Sequence, residues 1–562
     1  MTLAGALPAQ TANVVTGQYN NSRTAANINE TILTPSNVSP ATFGLLFTHT
    51  VDTNFYAQPL YVQGLTINSA LHNVVFVATM NDTVYAFDAD TAQPALWQVS
   101  LGTPVKVSSG MQFGILSTPV IDTSSQTLFV VTYTSEAGSS VYRLHALNLL
   151  TGTEIANVAV QAAVAGTGDD SQTTPCASGN GASIQPPCIP FLANQHLQRP
   201  ALLEDTTQGI VYLTFGTLSQ MESVNPYHGW LIGYSYSGGA FTQTMVFNST
   251  QNATQSGRPC SGTAPPTNQC GHGGGIWMSG RGPALDHKGI YVVTGNGGYG
   301  GPLTGNWGES ALRLSSAGVV EDSFTPKNYA YLNGGDLDLG DAGATLFTSA
   351  NTAVPNLALA AGKAGVVYVM NRASLGRLNS TNSGAIQVIA SPPQGCGTGP
   401  GQAKCYEIHS PALWAGTNAA PILYIWAWGD VLRAWDFNPV TNQFAPDANQ
   451  GTLPALYYPG GSLAVSANGN NGGIVWGVVA TTNSVPGQGA LYAFDATNVG
   501  SPLWVSTDYW FSTKFTIPTV ANGKVYVPTS ASPRSASPSY APQLRVYGLC
   551  SNCSAHTAPI TK

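Results

Sequence analysis

Hydrophobic and polar residues alternate in eight short segments that recur along the whole chain. Each segment alternates residues suited to a buried face and to an exposed face, and each ends in Asp, Asn, Ser or Gly. This pattern predicts a β-strand that enters a tight turn. The eight copies span 84–88, 144–148, 231–235, 311–315, 367–371, 432–436, 491–495 and 544–548.

The spacing of these copies predicts a β-propeller. Successive copies start 53 to 87 residues apart, and two further strand-like segments precede most of them, as 58–62 and 73–78 precede the first. A four-stranded blade cannot bury both of its faces alone, so blades stack around an axis. We therefore predict an all-β fold, a single eight-bladed β-propeller, with seven blades as the nearest alternative. Because little chain follows the eighth copy, we expect the segment 43–48 to close the ring.

One closed ring accounts for most of the 562 residues. We expect residues 1–42 to form a polar lead-in lying across the blades, 43–550 the propeller, and 551–562 a C-terminal tail. Insertions rich in Gly, Ser and Pro interrupt the blades near 163–195, 248–275 and 391–405. Because these long loops lie between blades two and six, a functional face is expected there.

Composition favours many short strands and turns over long helices, since 8% of the residues are charged and the chain contains 62 Gly and 37 Pro. The net charge of -7 is small for this length and gives no reason to expect nucleic acid or an anionic membrane as a partner. No apolar run approaches membrane-spanning length. The first residues lack the basic and apolar regions of a signal peptide, so we interpret any such peptide as removed or incomplete.

The eight cysteines form four pairs of near neighbours: Cys176 with Cys188, Cys260 with Cys270, Cys396 with Cys405, and Cys550 with Cys553. Each pair brackets or adjoins a Gly- and Pro-rich loop, so four local disulfides and an extracytoplasmic location are the simplest interpretation. The alternative is a metal site, for which the tail spacing of Cys550, Cys553 and His556 is suggestive, although no second ligand pair accompanies it. Eight Asn-x-Ser/Thr sites are open to glycosylation if the host modifies them: Asn20, Asn29, Asn37, Asn81, Asn248, Asn252, Asn379 and Asn552.

Four motifs in the middle of the chain carry a specific resemblance. They are Gly-Ile-Trp at 275–277, Tyr-Val-Val-Thr-Gly-Asn-Gly at 291–297, Asp-Leu-Asp at 336–338, and Gly-Lys-Ala-Gly-Val-Val-Tyr-Val-Met-Asn-Arg at 362–372. In order and spacing they resemble the eight-bladed quinoprotein alcohol dehydrogenases over about a hundred residues, and the blade repeat extends the resemblance weakly to the whole chain. Together with segments 29–38, 226–230 and 274–279, they resemble more closely the secreted bacterial pyrroloquinoline quinone (PQQ)-like repeat proteins.

The resemblance implies a role for each matching position. Trp277 would be the floor on which the flat quinone stacks, and Lys363 would stabilise negative charge on the quinone oxygens. Asn296 and Asp338 would bind Ca²⁺ or a similar hard cation. Asp336 would be the general base and would also be a ligand of the cation. The family's metal-binding glutamate would be Glu222 by blade order, with Glu136 as the alternative by local motif.

Each of these residues also has a plain structural interpretation. Trp277 would be core packing, Asn296 an ordinary turn residue, the two aspartates solvated or bound to a structural Ca²⁺, and Lys363 a surface lysine. The chain also departs from the family, since it has no adjacent cysteines and no clear counterpart of the contacts to the quinone carboxylates. Polar side chains in suitable loops offer substitutes: His196, Gln198, Arg199, His228 and Arg281.

Two functions from different classes follow. The first is a PQQ- and metal-dependent dehydrogenase of small alcohols or sugars, which would pass electrons to a separate acceptor because the chain has no haem-attachment motif. The second is a non-catalytic propeller that binds glycans, associates with its own copies or builds a surface layer. A polysaccharide lyase or hydrolase is a more distant possibility, because propellers host those chemistries too. An axial pocket that unites Trp277, Asn296, Asp336 and Lys363 would favour the first.

Overall fold

The computed structural model describes residues 12–107, 111–217, 226–254, 273–390, 406–446, 448–455, 457–484, 486–533 and 539–551. Eight antiparallel sheets follow one another along the chain, and the first strands of neighbouring sheets contact each other around a common axis. The predicted eight-bladed β-propeller is confirmed, and the alternative of seven blades is wrong.

Each blade is numbered in chain order, and its strands run from the axis outward. Blade 1 contains Leu60–Ile67, Ala70–Ala78, Thr83–Asp88 and Trp97–Ser100. Blade 2 contains Val120–Asp122, Thr127–Glu136, Ser139–Asn148 and Glu154–Ala159. Blade 3 contains Leu203–Asp205, Ile210–Thr217, Trp230–Ser237 and Ala240–Asn248. Blade 4 contains Ala284–Asp286, Gly289–Val293, Ala311–Leu314 and Val320–Thr325.

The second half of the chain repeats this arrangement. Blade 5 contains Ala344–Thr348, Asn356–Ala361, Val366–Asn371 and Gln387–Ala390. Blade 6 contains Ala412–Ala415, Pro421–Ile425, Val431–Asn438 and Asn449–Pro454. Blade 7 contains Ser462–Asn468, Asn471–Ala480, Gly489–Asp495 and Asn498–Val505. Blade 8 contains Thr519–Ala521, Lys524–Ser530, Gln543–Leu549 and, as its outer strand, Phe43–Thr50.

Short elements decorate the connections between these strands. The α-helix Tyr329–Gly334 and the 3₁₀ turns Ala193–Gln195, Met278–Gly280 and Leu339–Asp341 are the helical segments among the described residues. The remaining two- and three-residue strands are Ala26–Asn27, Val105–Lys106, Gln112–Phe113, Ala163–Ala165, Cys176–Ala177, Ser183–Ile184, Cys188–Pro190, His196–Leu197, Tyr299–Gly301, Asn306–Trp307, Arg377–Leu378, Gln443–Phe444 and Phe511–Ser512. Within the described ranges, no helix is both long and apolar enough to cross a membrane.

The recurring sequence segment is the third strand of each blade. Its last residue often closes the following turn with its side chain, because an Asp or Asn oxygen accepts a backbone N–H two residues on. Asp88 accepts from the N–H of residue 90 at 2.9 Å, Asn148 from that of residue 150 at 2.9 Å, and Asp495 from that of residue 497 at 2.8 Å. The repeated segment therefore contains both the buried residues of a strand and the residue whose side chain stabilises the following turn.

The ring is closed as predicted, by pairing segments from opposite ends of the propeller. Phe43–Thr50 runs antiparallel to Gln543–Leu549, with Phe43 opposite Leu549 and Thr50 opposite Gln543. The Phe43 ring is fully buried and contacts Trp476 and Trp504 of blade 7, at centroid distances of 5.3 and 4.9 Å. The closing strand is thus held by aromatic packing as well as by its hydrogen bonds.

Residues 12–33, which we call the N-terminal belt, run around the inside of the ring. Backbone oxygens of the belt accept N–H groups from the inner strands of blades 1, 2, 4, 5, 6 and 7, each at 2.8 or 2.9 Å. Arg23 donates to the Leu202 oxygen beside blade 3 at 3.1 Å, and Asn27 donates to the Val520 oxygen of blade 8 at 2.8 Å. The belt therefore touches every blade and fills the axis along the inner strands.

One of the four predicted disulfides lies wholly in the described residues and is confirmed. Cys176 and Cys188 are bonded within the insertion between blades 2 and 3, with Cα atoms 6.1 Å apart. Each of the other three pairs includes a cysteine outside the described residues, so those pairings stay predictions. Asn248 is 1% exposed, so this predicted glycosylation site is not accessible in the folded protein.

Candidate functional site

A cavity of about 340 Å³ lies on the axis, at the end of the ring where inner strands begin and second strands end. Its lining residues come from blades 1 to 5, 7 and 8. Those in segments that lead into an inner strand are Tyr56, Leu116, Leu197, Arg199, Trp277, Asp336, Asp338, Asp341, Tyr458, Lys514 and Phe515. Those at or after the end of a second strand are Met80, Thr217, Asn296 and Lys363. The volume is at the lower end of the range usual for small-molecule sites.

Five of the predicted site residues meet in this cavity. Trp277 precedes the inner strand of blade 4, and Asn296 follows its second strand. Asp336 and Asp338 lie between the helix Tyr329–Gly334 and the inner strand of blade 5, whose second strand is followed by Lys363. Because propeller topology brings these positions to one end of the ring, segments far apart in sequence form one site.

Two carboxylates, an ammonium and an amide form a connected polar group. The Lys363 Nζ lies 2.5 Å from Asp338 Oδ2 and 3.1 Å from Asp336 Oδ1. The side-chain amide of Asn296 donates to Asp336 Oδ1 at 2.8 Å, while its backbone N–H donates to Asp338 Oδ1 at 2.8 Å. Each carboxylate is therefore oriented by two different donors, which fixes their mutual position.

Glycine at position 295 permits this close approach. A Cβ atom on Gly295 would lie 2.2 Å from Asp338 Oδ1, well inside the contact distance of the two atoms. Asp336 itself adopts a left-handed backbone conformation, with φ of 55°. A non-glycine residue in that region is strained, and such strain is concentrated at functional sites in proteins.

Burial and the charges of neighbouring side chains determine the pKa shifts of Asp336 and Lys363. Asp336 is 62% exposed, yet the surrounding protein walls desolvate it, and this desolvation together with the neighbouring Asp338 raises its pKa. Burial alone would lower the pKa of Lys363, but Asp338, Asp336 and Asp341 outweigh it and raise that pKa well above its usual value. Lys363 therefore carries its positive charge throughout the neutral pH range.

Trp277 borders the apolar side of the cavity. It packs with Tyr56 and Phe113 against a buried cluster of Met80, Leu116 and Leu197. Gly216 lies directly behind it, since a Cβ there would be 3.4 Å from the Trp277 Cβ. The indole is thus part of an apolar wall that faces the charged group, rather than part of the blade core.

The residues present fit both a hard cation and a flat acidic quinone. The Oδ1 atom of Asn296 is buried and has no hydrogen-bond partner among the described residues. This amide oxygen and the two neighbouring carboxylates together provide the oxygen ligands that Ca²⁺ and similar cations prefer. For the quinone, Trp277 offers an aromatic face and Lys363, Arg199 and Lys514 offer cations to acidic groups.

Of the two glutamates suggested as a metal ligand, the structure describes Glu136. Glu222 lies outside the described residues, so its role stays a prediction. Glu136 lies at the hairpin end of blade 2, where both of its oxygens accept hydrogen bonds from Arg143, at 2.7 and 2.6 Å. Glu136 is not among the described residues that line the cavity.

Of the five polar substitutes suggested by the sequence, Arg199 lines the cavity, and the other four do not among the described residues. Arg281 donates to backbone oxygens inside the ring, and Gln198 donates to the Pro200 oxygen at 2.8 Å. His196 accepts the Trp230 indole N–H at 3.1 Å, and His228 bonds to the Thr250 hydroxyl at 2.8 Å. These four residues support the loops instead.

Sequence reasoning missed several residues of the cavity, including Asp341, Tyr458 and Lys514. The Lys514 ammonium lies 4.4 Å from the centre of the Tyr458 ring, and burial lowers the pKa of Lys514. No local motif marks these positions. Their shared signal is position, because each lies within a few residues of the start of an inner strand.

Comparisons with known proteins agree with the fold. No protein-family model matches the chain, and no curated protein sequence matches it. Solved structures similar to it include quinohemoprotein alcohol dehydrogenases from Pseudomonas putida (13% identity, covering 96% of this chain and 80% of that chain, TM-score 0.54) and Comamonas testosteroni (14% identity, 96% and 81%, TM-score 0.57). A europium-containing methanol dehydrogenase is 12% identical over 96% of this chain and 98% of its own, with a TM-score of 0.57. At these identities, the likeness shows a shared propeller fold.

Proposed function

We propose that this chain is an extracytoplasmic, PQQ- and metal-dependent dehydrogenase of small alcohols or sugars. The observation that carries the proposal is the convergence of Trp277, Asn296, Asp336, Asp338 and Lys363 on one axial cavity. The quinoprotein dehydrogenases that share the fold support it, and the Cys176–Cys188 disulfide is compatible with the location. The N-terminal belt fills the axis along the inner strands but leaves this cavity open at one end of the ring, which favours a ligand site over a purely structural propeller.

The proposal gives each residue a defined task. Asn296, Asp336 and Asp338 would hold the cation, together with Glu222 if blade order is right, and Trp277 would hold the quinone by stacking. When bound, PQQ supplies a two-electron acceptor for the hydride of the substrate. Lys363 would place a fixed positive charge where negative charge develops.

Asp336 would take the proton of the substrate hydroxyl. Its hydrogen bonds from Asn296 and Lys363 both go to Oδ1, which leaves Oδ2 as the oxygen available to a substrate. The exposed side chain of Asp336 faces the cavity where substrate would enter, so Oδ2 is in a position to meet a substrate hydroxyl.

The test is a titration of the metal-loaded protein with PQQ, in Ca²⁺ or in a lanthanide, followed by tryptophan quenching. Dye-linked oxidation of a panel of alcohols and aldoses then measures turnover. We expect saturable quenching in the wild type, its loss in Trp277→Ala, and retained quinone binding without turnover in Asp336→Asn.

Asp436→Asn is the matched control, because Asp436 is an exposed aspartate on the third strand of blade 6, away from the cavity. It should bind and turn over like the wild type. If PQQ does not bind with either metal, the proposal is refuted. A glycan-binding or self-associating propeller would then be the function to test.

A further inference from the structure

A second polar cluster lies beside the cavity, apart from the residues used in the proposed function. Its members are Ser279, Asp341, Glu407 and His409. The Asp341 and His409 side chains are 2% and 3% exposed, Ser279 is fully buried, and Glu407 is 17% exposed. One ligand atom from each of Asp341, Glu407 and His409 lies within 4.8 Å of the other two.

The imidazole of His409 is held in one orientation. Its Nδ1 is in contact with Asp341 Oδ2, and Ser279 Oγ donates to the other oxygen of that carboxylate at 2.5 Å. The rings of Phe515 and Tyr458 pack against it, at centroid distances of 4.7 and 5.5 Å. With Nδ1 committed to Asp341, Nε2 is the free ligand atom of the ring.

The second ring nitrogen faces a carboxylate within ion-pair range, but at a distance longer than that of a strong charge-assisted hydrogen bond. His409 Nε2 and Glu407 Oε2 are 3.4 Å apart, and both are buried without a hydrogen-bond partner among the described residues. A charge-assisted hydrogen bond would be about 2.7–2.9 Å long. Two donors each about 2.1 Å from a tetrahedral Zn²⁺ lie about 3.4 Å apart, which matches the observed separation.

We propose that His409 Nε2 and Glu407 Oε2 bind a divalent cation of the zinc type, with Asp341 orienting the imidazole. A carboxylate on the second ring nitrogen is the usual partner of a metal-binding histidine. The imidazole donor favours Zn²⁺, Co²⁺, Ni²⁺ or Cu²⁺ over Ca²⁺ and Mg²⁺, which prefer all-oxygen sites. Two protein ligands leave two tetrahedral positions for water or for a donor atom of a bound molecule.

This site is chemically distinct from the all-oxygen site of Asn296, Asp336 and Asp338. Glu407 also interacts electrostatically with Lys514, so a metal ion between Glu407 and His409 would share the charge of that carboxylate with Lys514. The inference goes beyond the proposed dehydrogenase, because the site requires neither PQQ nor turnover.

The test uses the full chain, stripped with a chelator and titrated calorimetrically with Zn²⁺, with Co²⁺ absorption as a spectroscopic readout of tetrahedral ligation. We expect one site in the wild type that excess Ca²⁺ does not displace. His409→Gln and Glu407→Gln should weaken Zn²⁺ binding at least about 100-fold, and Asp341→Asn about 10- to 100-fold, as removal of a partner behind a metal-binding histidine does.

Asp336→Asn is the control for the neighbouring oxygen site and should bind Zn²⁺ like the wild type. Thermal unfolding of each variant verifies the fold, and Glu407→Gln, at the most exposed member of the cluster, serves if His409→Gln does not fold. Absence of Zn²⁺ binding in the wild type below millimolar concentration, or binding unchanged in Glu407→Gln, overturns the proposal. Loss of binding in Asp336→Asn alone would place the ion in the other site and would also overturn it.

Discussion

Replacement of Lys363 by glutamine tests whether its ammonium holds the two carboxylates of the cavity together. The Nζ atom lies 2.5 Å from Asp338 and 3.1 Å from Asp336, so Lys363→Gln removes the positive charge between these two carboxylates. Breaking a fully buried ion pair from one side costs about 3–5 kcal/mol. An exposed pair contributes about 0–1 kcal/mol.

The Lys363–Asp338 pair lies between these limits, because its side chains are 17% and 22% exposed. We therefore expect Lys363→Gln to lower the free energy of unfolding by about 2 kcal/mol at neutral pH, which is the middle of those two ranges. A cation bound by Asp336, Asp338 and Asn296 would replace the lost positive charge. Addition of Ca²⁺ or a lanthanide should accordingly recover most of the loss.

Denaturant unfolding of both proteins, with and without the metal ion, measures this difference. Lys524→Gln is the matched control, because Lys524 pairs with Asp90, which is 39% exposed, at the end of the ring opposite to the cavity. It should change stability by less than about 1 kcal/mol and should not respond to metal. A Lys363→Gln protein as stable as the wild type, or one that metal does not stabilise, would refute the reasoning.

Three further predictions address the site, the pH dependence and the ring. Gly295→Ala should weaken Ca²⁺ binding, measured by calorimetry, because its Cβ would displace the Asp338 carboxylate, and unchanged affinity would contradict the close approach. Burial raises the pKa of Asp82 to about 8, so the folded state holds a proton that the unfolded chain has lost, and stability should fall as pH rises from about 4 to 8. In Asp82→Asn this part of the slope should disappear, and the slope of the denaturant midpoint against pH measures it. Phe43→Ala should cost about 3–5 kcal/mol in thermal or denaturant unfolding, because it empties the space between two tryptophans, and a loss below 1 kcal/mol would argue that the closing strand is not held by packing.

The blades could be predicted from the sequence because their signal is local. Alternation within the third strand and the turn after it depend on neighbouring residues alone, as the Asp88 and Asp495 turns show. Ring closure by the segment 43–48 followed from counting strands, and the observed strand is Phe43–Thr50. Trp277 and Lys363 were found because they stand in motifs whose order matches a family, although their roles stay predictions.

The rest of the cavity could not be predicted, because closure of the ring brings its residues together and no local sequence pattern marks them. The Lys514 ammonium meets the Tyr458 ring across 56 residues of sequence, and the second nitrogen of His409 is available only because Asp341 occupies the first. One positional rule recovers many of them once the strands are known. The four residues before the inner strands of blades 1, 2, 3, 7 and 8 contain Tyr56, Leu116, Arg199, Tyr458 and Phe515, respectively.

The N-terminal belt and the closing strand have a consequence for how the molecule is made. Residues 12–50 are synthesised before all eight blades, yet their partners include Val520 in blade 8 and the strand Gln543–Leu549. Until blade 8 has been made, the strand Phe43–Thr50 and residue Asn27 lack these partners, and contacts over such sequence separations form slowly. An unpaired strand edge also invites other chains to pair with it. A nascent chain stalled before blade 8 should therefore depend on a chaperone that shields the strand Phe43–Thr50.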